Sequence, residues 1–140
     1  MNTYVLDTSV VVQWFQQTNE LHPKQAYKIF EDLESGKVNV LIPSILLIEL
    51  INVLLIGKKT PIEEARLAIR RLYGSIVTII DMSLPVLDHT SLLMKQYNLT
   101  SYDAYFLALA KVEGCQLISD DQKAHGKITD GSVIMLKDYF

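Results

Sequence analysis

The chain contains 140 residues, of which 49% are hydrophobic, 13 are lysine or arginine and 16 are aspartate or glutamate. The net charge of −3 at neutral pH argues against a general polybasic nucleic-acid-binding protein, although a local basic patch can still bind phosphate. The length predicts one domain, residues 1–140, with a substantial core. The high apolar fraction predicts that some of its surface is covered by oligomerisation.

Short apolar runs alternate with helical periodicity along the whole chain. In chain order the pattern predicts a strand at Thr3–Leu6, helices at Val10–Gln16 and Pro23–Ser35, a strand at Val38–Ile42, helices from Ser44 to Gly57 and from Thr60 through Arg71, a strand at Ile76–Ile80, helices at Ser83–Tyr97 and Tyr102–Glu113, and strands at Gln116–Ser119 and Ser132–Leu136. Continuous apolar strand runs are typical of parallel strands covered on both faces. We therefore predict an α/β fold, a three-layer α/β/α sandwich around a mostly parallel sheet of about five short strands.

Residues that begin and end helices support these boundaries. Thr8 or Ser9 is expected to cap the first helix, and Thr100 or Ser101 is expected to cap the helix that starts at residue 102. Gly114 is expected to end that same helix, because glycine adopts the left-handed conformation common at helix C-termini.

The cysteine content and the N-terminal sequence bear on where the protein acts. Cys115 is the only cysteine and cannot form an intrachain disulfide, which fits a reducing cytoplasm. The N-terminus has neither a basic region nor a small-residue cleavage site, so we do not expect a secretory signal. The apolar stretch Val40–Ile56 is interrupted by Pro43 and Glu49 and is shorter than the ~20 residues of a typical membrane span. We expect a buried helix there, in a cytoplasmic protein without a membrane association.

Glu49 is the only charged residue between Val38 and Ile56. A carboxylate in such an apolar helix is costly to desolvate unless something compensates its charge. No lysine or arginine lies within two helical turns of it. A metal ion would compensate the charge, and so would a polar pocket, which Asn52 one turn later could share.

Three further acids occupy comparable positions: Asp7 follows the first strand, Asp121 follows the fourth, and Asp103 lies in the first turn of an apolar helix. The carboxyl ends of parallel strands share one edge of a sheet, so these acids and Glu49 are expected to converge. Carboxylates are the ligands that Mg²⁺ and Mn²⁺ prefer, and such ions activate water and stabilise charge on a phosphate. This chemistry needs no catalytic histidine, and we interpret the scattered His22, His89 and His125 as surface residues.

Each acid also has a purely structural interpretation. Asp7, Asp120 and Asp121 could each cap the helix that follows, and Asp103 could complement a helix dipole. Hydroxyl groups beside the acids could orient their carboxylates as supporting residues or could serve as ordinary caps. These hydroxyl residues are Thr8, Ser9, Ser101 and Ser119.

Two groups of cations could contact a nucleic-acid backbone. Lys123 is the favoured phosphate contact, because it lies two residues from Asp121. The other group is a basic stretch of Lys58, Lys59, Arg66, Arg70 and Arg71, in which Arg66–Arg71 is better interpreted as a solvated helix face. Tyr102 and Trp14 could stack on bases, but each could equally pack in the core or in an interface.

Four segments resemble, in order and at normal spacing, the motifs of the PIN-domain ribonucleases. Tyr4–Ser9 resembles the opening motif and Pro43–Leu50 the second acidic motif. Leu99–Ala110 closely resembles the third motif and is the most specific of the four. Leu117–Lys123 resembles the fourth, in which the family has Thr or Ser, any residue, and then Asp.

The resemblance implies an α/β/α domain with a parallel sheet, and endonucleolytic cleavage of RNA that depends on Mg²⁺ or Mn²⁺. It implies catalytic and metal-binding roles for four residues, Asp7, Glu49, Asp103 and Asp121. It also implies supporting roles for Thr8, Ser9 and Ser119. The family register favours Asp121 over its neighbour Asp120, which could contribute as a supporting residue or substitute for it.

Among PIN-domain ribonucleases, chains of this length without further domains look most like VapC-type toxins. The resemblance then implies a homodimer, an RNA substrate and a cognate antitoxin protein. Two alternatives within the family are a stand-alone nuclease that processes RNA and a catalytically silent module that binds another protein.

Two other enzyme classes with acids at strand ends fit the sequence less well. Phosphatases of the haloacid-dehalogenase type need a second aspartate two residues after the nucleophile, where this chain has Ser9. Response-regulator receivers need an acidic pair after the first strand, whereas Asp7 is followed by Thr8.

Overall fold

Five parallel strands form the central sheet in the computed structural model, which describes residues 1–140. The strands are β1 (Asn2–Leu6), β2 (Val38–Pro43), β3 (Thr78–Ile80), β4 (Gln116–Ser119) and β5 (Val133–Met135). They lie in the order β3-β2-β1-β4-β5, and every neighbouring pair is parallel. The predicted fold is confirmed, and the sheet is entirely rather than mostly parallel.

Seven α-helices connect and cover these strands. They are α1 (Thr8–Val11), α2 (Pro23–Glu34), α3 (Ile45–Asn52), α4 (Ile62–Tyr73), α5 (Leu84–Tyr97), α6 (Ser101–Val112) and α7 (Gln122–His125). Short 3₁₀ turns occupy Val12–Trp14 and Leu136–Asp138, and a π-helical turn at Val53–Gly57 extends α3. None of the helices combines the length and the apolar character needed to cross a membrane.

The order of the strands reverses at β1. Strands β2 and β3 are added on one side of β1, whereas β4 and β5 are added on the other side. Because parallel crossovers are right-handed, the helices that connect the two halves lie on opposite faces of the sheet. At such a reversal a crevice opens beyond the carboxyl ends of the two adjacent strands. Here those strands are β1, which Asp7 follows, and β4, which Asp120 and Asp121 follow.

Apolar side chains of the strands and of α6 form the core beneath this crevice. Leu6 at the end of β1 and Ile118 in β4 have no exposed surface. Helix α6 is buried over residues 104–110 and packs against β1, β2 and β4. An almost continuous apolar sequence is what such a doubly covered helix requires. This packing fixes the helix that carries Asp103 in its first turn.

The end of α5 and both ends of α6 agree with the sequence. Asn98 ends α5 with a φ of 54°, and Gly114 follows α6 with a φ of 69°. Thr100 is the N-cap of α6, and its hydroxyl oxygen accepts the backbone N–H of Asp103 at 3.2 Å. The predicted cap is therefore Thr100 rather than Ser101.

The start of the first helix differs from the prediction. Asp7 occupies the N-cap position without a side-chain capping bond, and the helix begins at Thr8. Neither Thr8 nor Ser9 caps it, because the two hydroxyls donate instead to the carboxylates of Glu49 and Asp7. A hydroxyl forms a stronger hydrogen bond with a charged carboxylate than with the neutral backbone N–H of a helix end. The two carboxylates therefore outcompete the helix end for these hydroxyls.

Two smaller differences concern short elements. Helix α7, Gln122–His125, was not predicted, since four residues are too few to show helical periodicity. Strand β3 begins at Thr78 rather than at Ile76, because pairing with β2 starts there, opposite Leu41.

Candidate functional site

Asp7 lies in the crevice between β1 and β4. Its backbone N–H donates to the carbonyl of Ile118 in β4 at 3.0 Å. The side chain is 5% exposed, and its Oδ2 accepts from the hydroxyl of Ser9 at 2.6 Å and from that of Ser119 at 3.3 Å. The supporting roles predicted for Ser9 and Ser119 therefore match direct contacts with Asp7.

Glu49 reaches the same crevice from α3. The hydroxyl of Thr8 donates to its Oε2 at 2.8 Å. The other oxygen, Oε1, is buried and has no hydrogen-bond partner. The contact joins residues 41 positions apart in the chain. It shows that α3 passes close to the start of α1, directly beyond the end of β1.

Asp103 and Asp121 complete the set of acids. Asp103 lies in the first turn of α6, and no hydrogen bond involves its carboxylate, although its backbone N–H and carbonyl are both bonded. Asp121 is the N-cap of α7, where its Oδ1 accepts the N–H of Ala124 at 3.0 Å. The structural interpretation of Asp121 as a cap is thus correct, but only Oδ1 takes part in the cap. The other carboxylate oxygen, Oδ2, makes no hydrogen bond.

The negative charges of these acids act on one another's pKa values. Burial raises the pKa of Asp7, the His125 ring and the hydrogen bond from Ser9 lower it, and the negative charges of Asp103 and Asp121 raise it further. The net shift is upward. Burial also raises the pKa of Glu49, the hydrogen bond from Thr8 opposes the shift, and the charges of Asp7 and Asp103 add to it. No lysine or arginine forms an ion pair with these acids.

Asp120 has a different environment from Asp121. Its Oδ1 lies 2.8 Å from Nδ1 of His22, and its Oδ2 accepts from the side-chain amide of Gln13 at 2.7 Å. Its backbone N–H donates to the hydroxyl of Ser9 at 2.9 Å. Both carboxylate oxygens of Asp120 are therefore engaged within the protein. Asp121 keeps one oxygen free of internal contacts and lines the same depression as Asp103, so the arrangement favours Asp121 over Asp120 as a ligand.

The structure corrects two of the expectations about single residues. His125 has no exposed surface and contacts Ser119 and Asp103, so its interpretation as a surface residue is wrong. The sequence carries no signal for this, since a lone histidine lacks a motif and its partners lie in other elements. Ser101 is exposed and makes no hydrogen bond to a carboxylate, so the structure does not bring it into the site.

Two shallow depressions meet at the acids. One, of about 550 Å³, is lined by Glu49, Asn52, Tyr102 and Asp103, among others. The other, of about 420 Å³, is lined by residues that include Asp103, Asp121, Lys123 and Lys127. Asp103 belongs to both, so the depressions form one open surface across the site. An elongated, polar substrate fits such a surface better than a small enclosed ligand does.

The other cations and aromatic residues have separate roles. Lys58 forms an ion pair with Glu20 at 3.3 Å in which both side chains are largely buried, so Lys58 is not part of a solvated face. Arg66 pairs with Glu63 at 3.2 Å on the exposed face of α4, as predicted. Trp14 packs edge-on against Phe30, with ring centroids 5.3 Å apart, and belongs to the core rather than to a base-stacking surface. Tyr102, by contrast, is 56% exposed beside Asp103.

The residues of the site fit a hard divalent cation in their chemistry. All four acids offer oxygen ligands, and Glu49 Oε1 is a buried acceptor without a donor. As positioned, however, no three acidic, histidine or cysteine side chains are arranged to hold one ion. Binding would require side-chain rotations that bring the oxygens together. The carboxylate of Asp103 is not held by any hydrogen bond, and that of Glu49 is held through only one oxygen.

Solved structures with this fold include several toxin–antitoxin proteins. A toxin–antitoxin complex from Klebsiella pneumoniae matches at 23% identity over 95% of this chain and 97% of that one, with a TM-score of 0.69. VapBC2 from Rickettsia felis, bound to a DNA fragment from its promoter, matches at 23% identity over 95% and 98%, with a TM-score of 0.70. Mycobacterium tuberculosis VapC20, a toxin that cleaves the sarcin–ricin loop, matches at 15% identity over 84% and 87%, with a TM-score of 0.65. At these identities the likenesses show a common fold.

A search of curated protein sequences gives no significant match. The family model of the PIN domain matches residues 4–128, which include all four acids, the last three residues of β1 and all of β4. The match spans far more than half of the chain. This protein therefore belongs to the PIN-domain family.

Proposed function

We propose that the protein is a metal-dependent endoribonuclease that hydrolyses RNA phosphodiester bonds at Asp7, Glu49, Asp103 and Asp121. The observation that carries the proposal is the buried, partnerless Oε1 of Glu49, in a pocket that Asp7 and Asp103 make still more negative. Removing a carboxylate from water without a partner is costly. A site that keeps such a group beside like charges is suited to receive a cation.

The four acids would hold Mg²⁺ or Mn²⁺, which supplies Lewis acidity toward water and a phosphate oxygen when bound. The remaining work is done by the protein's own side chains. Thr8 orients the carboxylate of Glu49, and Ser9 and Ser119 orient that of Asp7, through hydrogen bonds of 2.8, 2.6 and 3.3 Å. These hydrogen bonds engage one oxygen of each carboxylate and leave the other oxygen available for the ion.

The open surface beside the acids supports RNA as the substrate. Lys123 and Lys127 are exposed in the depression that contains Asp121, and neither forms an ion pair with an acid. They are free to contact phosphates that flank the scissile one. On the other side of Asp103, the exposed ring of Tyr102 offers a face for an unstacked base.

Within the PIN family, the proposal assigns this chain to the VapC-type toxins. The assignment is supported by the toxin–antitoxin proteins among the similar structures and by the share of each that the chain covers. It implies a cognate antitoxin partner and a homodimer as the working form. The proposed place of action is the cytoplasm, where the half-buried thiol of Cys115 stays reduced.

The test is cleavage of a total-RNA pool by purified protein with Mn²⁺ or Mg²⁺, beside an EDTA control and the Asp7→Asn variant. Wild type is expected to give discrete fragments that disappear with EDTA and with Asp7→Asn. Cleavage that persists in both controls would contradict the proposal. No cleavage together with no metal binding would identify a catalytically silent interaction module instead.

A second experiment separates a toxin from a stand-alone RNA-processing nuclease. Induced expression of the active protein is expected to arrest growth, and co-expression of a cognate antitoxin is expected to restore it. Growth that is unaffected by a demonstrably active protein would favour the processing nuclease.

A further inference from the structure

His125 is a fully buried imidazole with a partner at each ring nitrogen. Its Nδ1 lies 2.7 Å from the hydroxyl oxygen of Ser119, at the end of β4. Its Nε2 lies 3.0 Å from the backbone carbonyl of Asp103, in the first turn of α6. The residue itself is the last of α7. One side chain thus connects three elements that meet at the acids.

The direction of one of these bonds follows from chemistry. A carbonyl oxygen only accepts, so Nε2 of His125 carries the hydrogen and donates it to Asp103. The partner of Nδ1 is a hydroxyl, which can donate or accept. The hydrogen bond from Nε2 to α6 therefore has a fixed direction. The direction of the bond between Nδ1 and Ser119 depends on where that hydroxyl donates its own hydrogen.

The hydroxyl of Ser119 carries the connection to two further acids. Its oxygen lies 3.3 Å from Oδ2 of Asp7 and accepts the backbone N–H of Asp121 at 3.1 Å. Through Ser119 and through the carbonyl of Asp103, His125 is linked to three of the four acids. Glu49, which approaches from α3, is the acid outside this network.

We propose that His125 is a positioning residue that holds the end of β4 and the first turn of α6 together, so that Asp7, Asp103 and Asp121 face one space. The inference rests on the proposed function, because a shared space matters only if the acids act together. Outer residues that orient ligands change metal affinity or activity by about 10–100-fold when they are removed. The same size of effect is expected here.

Three substitutions separate the contribution of the hydrogen bond to Ser119 from that of the hydrogen bond to Asp103. His125→Leu removes both, His125→Gln places an amide nitrogen near the position of Nε2, and His125→Asn reaches only toward Ser119. The control is Tyr139→Phe, which removes the buried hydrogen bond of 2.6 Å from the Tyr139 hydroxyl to Asp32. That bond lies away from the acids, and its loss destabilises the fold without touching the site.

The first readout is amide hydrogen exchange in EDTA, which needs neither metal binding nor cleavage. His125→Leu is expected to speed exchange in residues 103–107 of α6, and Tyr139→Phe is not. The second readout is the Mn²⁺ affinity, measured by calorimetry. The same variants are then compared by kcat and KM on an RNA that wild type cleaves. His125→Leu is expected to lose about 10–100-fold in affinity and in kcat with little change in KM, and the Gln and Asn variants are expected to fall between it and wild type.

Unchanged exchange in α6, or an Mn²⁺ affinity that falls no more than in Tyr139→Phe, would overturn the positioning role. If His125→Leu does not fold, the Gln and Asn variants carry the same comparison. Failure of wild type itself to bind Mn²⁺ or cleave RNA would count against the proposed function, and the exchange result would still decide whether His125 holds α6.

Discussion

The side chain of Asp7 is 5% exposed, accepts hydrogen bonds from two hydroxyls and has no cationic partner from lysine or arginine. Burial and the nearby acids raise the pKa of Asp7. Burial and nearby acids also raise the pKa of Glu49. The folded state therefore holds these protons more tightly than the unfolded chain. By linkage, stability falls as pH rises from about 4, the unfolded pKa, through the raised folded pKa.

The first prediction follows from this loss of stability with rising pH. In EDTA at pH 8, Asp7→Asn is expected to raise Tm by about 3 °C, the shift that ~1 kcal/mol produces in a domain of this size. Asparagine keeps the acceptor for Ser9 and cannot carry the charge. The gain is expected to shrink as the pH is lowered toward 4. Calorimetric melting curves measure it, with the exposed Asp88→Asn as a control that should not change. An equal or lower Tm for Asp7→Asn at pH 8 would contradict the electrostatic account.

The second prediction concerns Lys123, which lies in the depression beside Asp121. Lys123→Gln is expected to weaken RNA binding and to reduce the slope of log affinity against log salt by about one, because one phosphate contact is lost. Fluorescence anisotropy at several salt concentrations measures both. Lys37→Gln is the matched control, because Lys37 is exposed directly before β2, at the amino ends of the strands. The same slope in both variants would remove Lys123 from the RNA surface.

At the residue scale, a functional residue can be predicted from the sequence when its burial or its place in an element is unusual. A residue whose role depends only on tertiary contacts cannot. Glu49 is recognisable because a lone charge in an apolar helix needs compensation. His125 is not, because its partners Ser119 and Asp103 lie 6 and 22 positions away. The same holds for Asp120, whose engagement by His22 and Gln13 spans about a hundred residues of chain.

At the scale of elements, α6 matters most for the site, because burial of residues 104–110 determines where Asp103 lies. Thr100 begins this helix by accepting the N–H of Asp103. Thr100→Ala is expected to lower the free energy of unfolding by about 1 kcal/mol, as for other lost caps, whereas Thr100→Ser should retain most of it. Urea unfolding measures the difference. Equal stability of the Ala and Ser variants would show that the cap contributes nothing.

The longer elements were predictable because each combines a periodic apolar pattern with a start or stop residue. Helix α6 lies between Thr100 and Gly114, and both act as expected. Helix α7 has four residues and no such pattern. It exists because Asp121 caps it and because His125 is buried at its end, and both are tertiary facts. The boundaries of short elements therefore depend on contacts that the local sequence does not contain.

At the scale of the whole molecule, the reversal of strand order at β1 brings the end of β1 and the end of β4 together, although they are more than a hundred residues apart in the chain. Parallel strands and alternating helices were evident from the sequence. The strand order was not, because several orders satisfy the same apolar pattern. The general rule that sites lie at carboxyl ends of strands was enough to predict convergence of the acids without it.

The exposed apolar side chains of the outer helices lead to a prediction about assembly. Ile48, Ile56, Leu84 and Leu92 are each 67–71% exposed. Burying such residues between two copies would remove them from water. Sedimentation velocity at micromolar concentrations is expected to give twice the monomer mass. Ile48→Lys or Leu92→Lys should shift the protein toward monomer, and the polar substitution Gln96→Lys should not. A wild-type monomer throughout this range would contradict the homodimer.

The central claim is that four acids from four distant segments form one divalent-metal site. Calorimetric titration of the protein with Mn²⁺ tests it most directly, with wild type compared to Asp103→Asn, Glu49→Gln and the exposed control Glu64→Gln. The account predicts saturable binding by wild type and by Glu64→Gln, and a loss of at least about tenfold in affinity for the two site variants. No saturable binding by wild type, or equal binding by all four proteins, would contradict it.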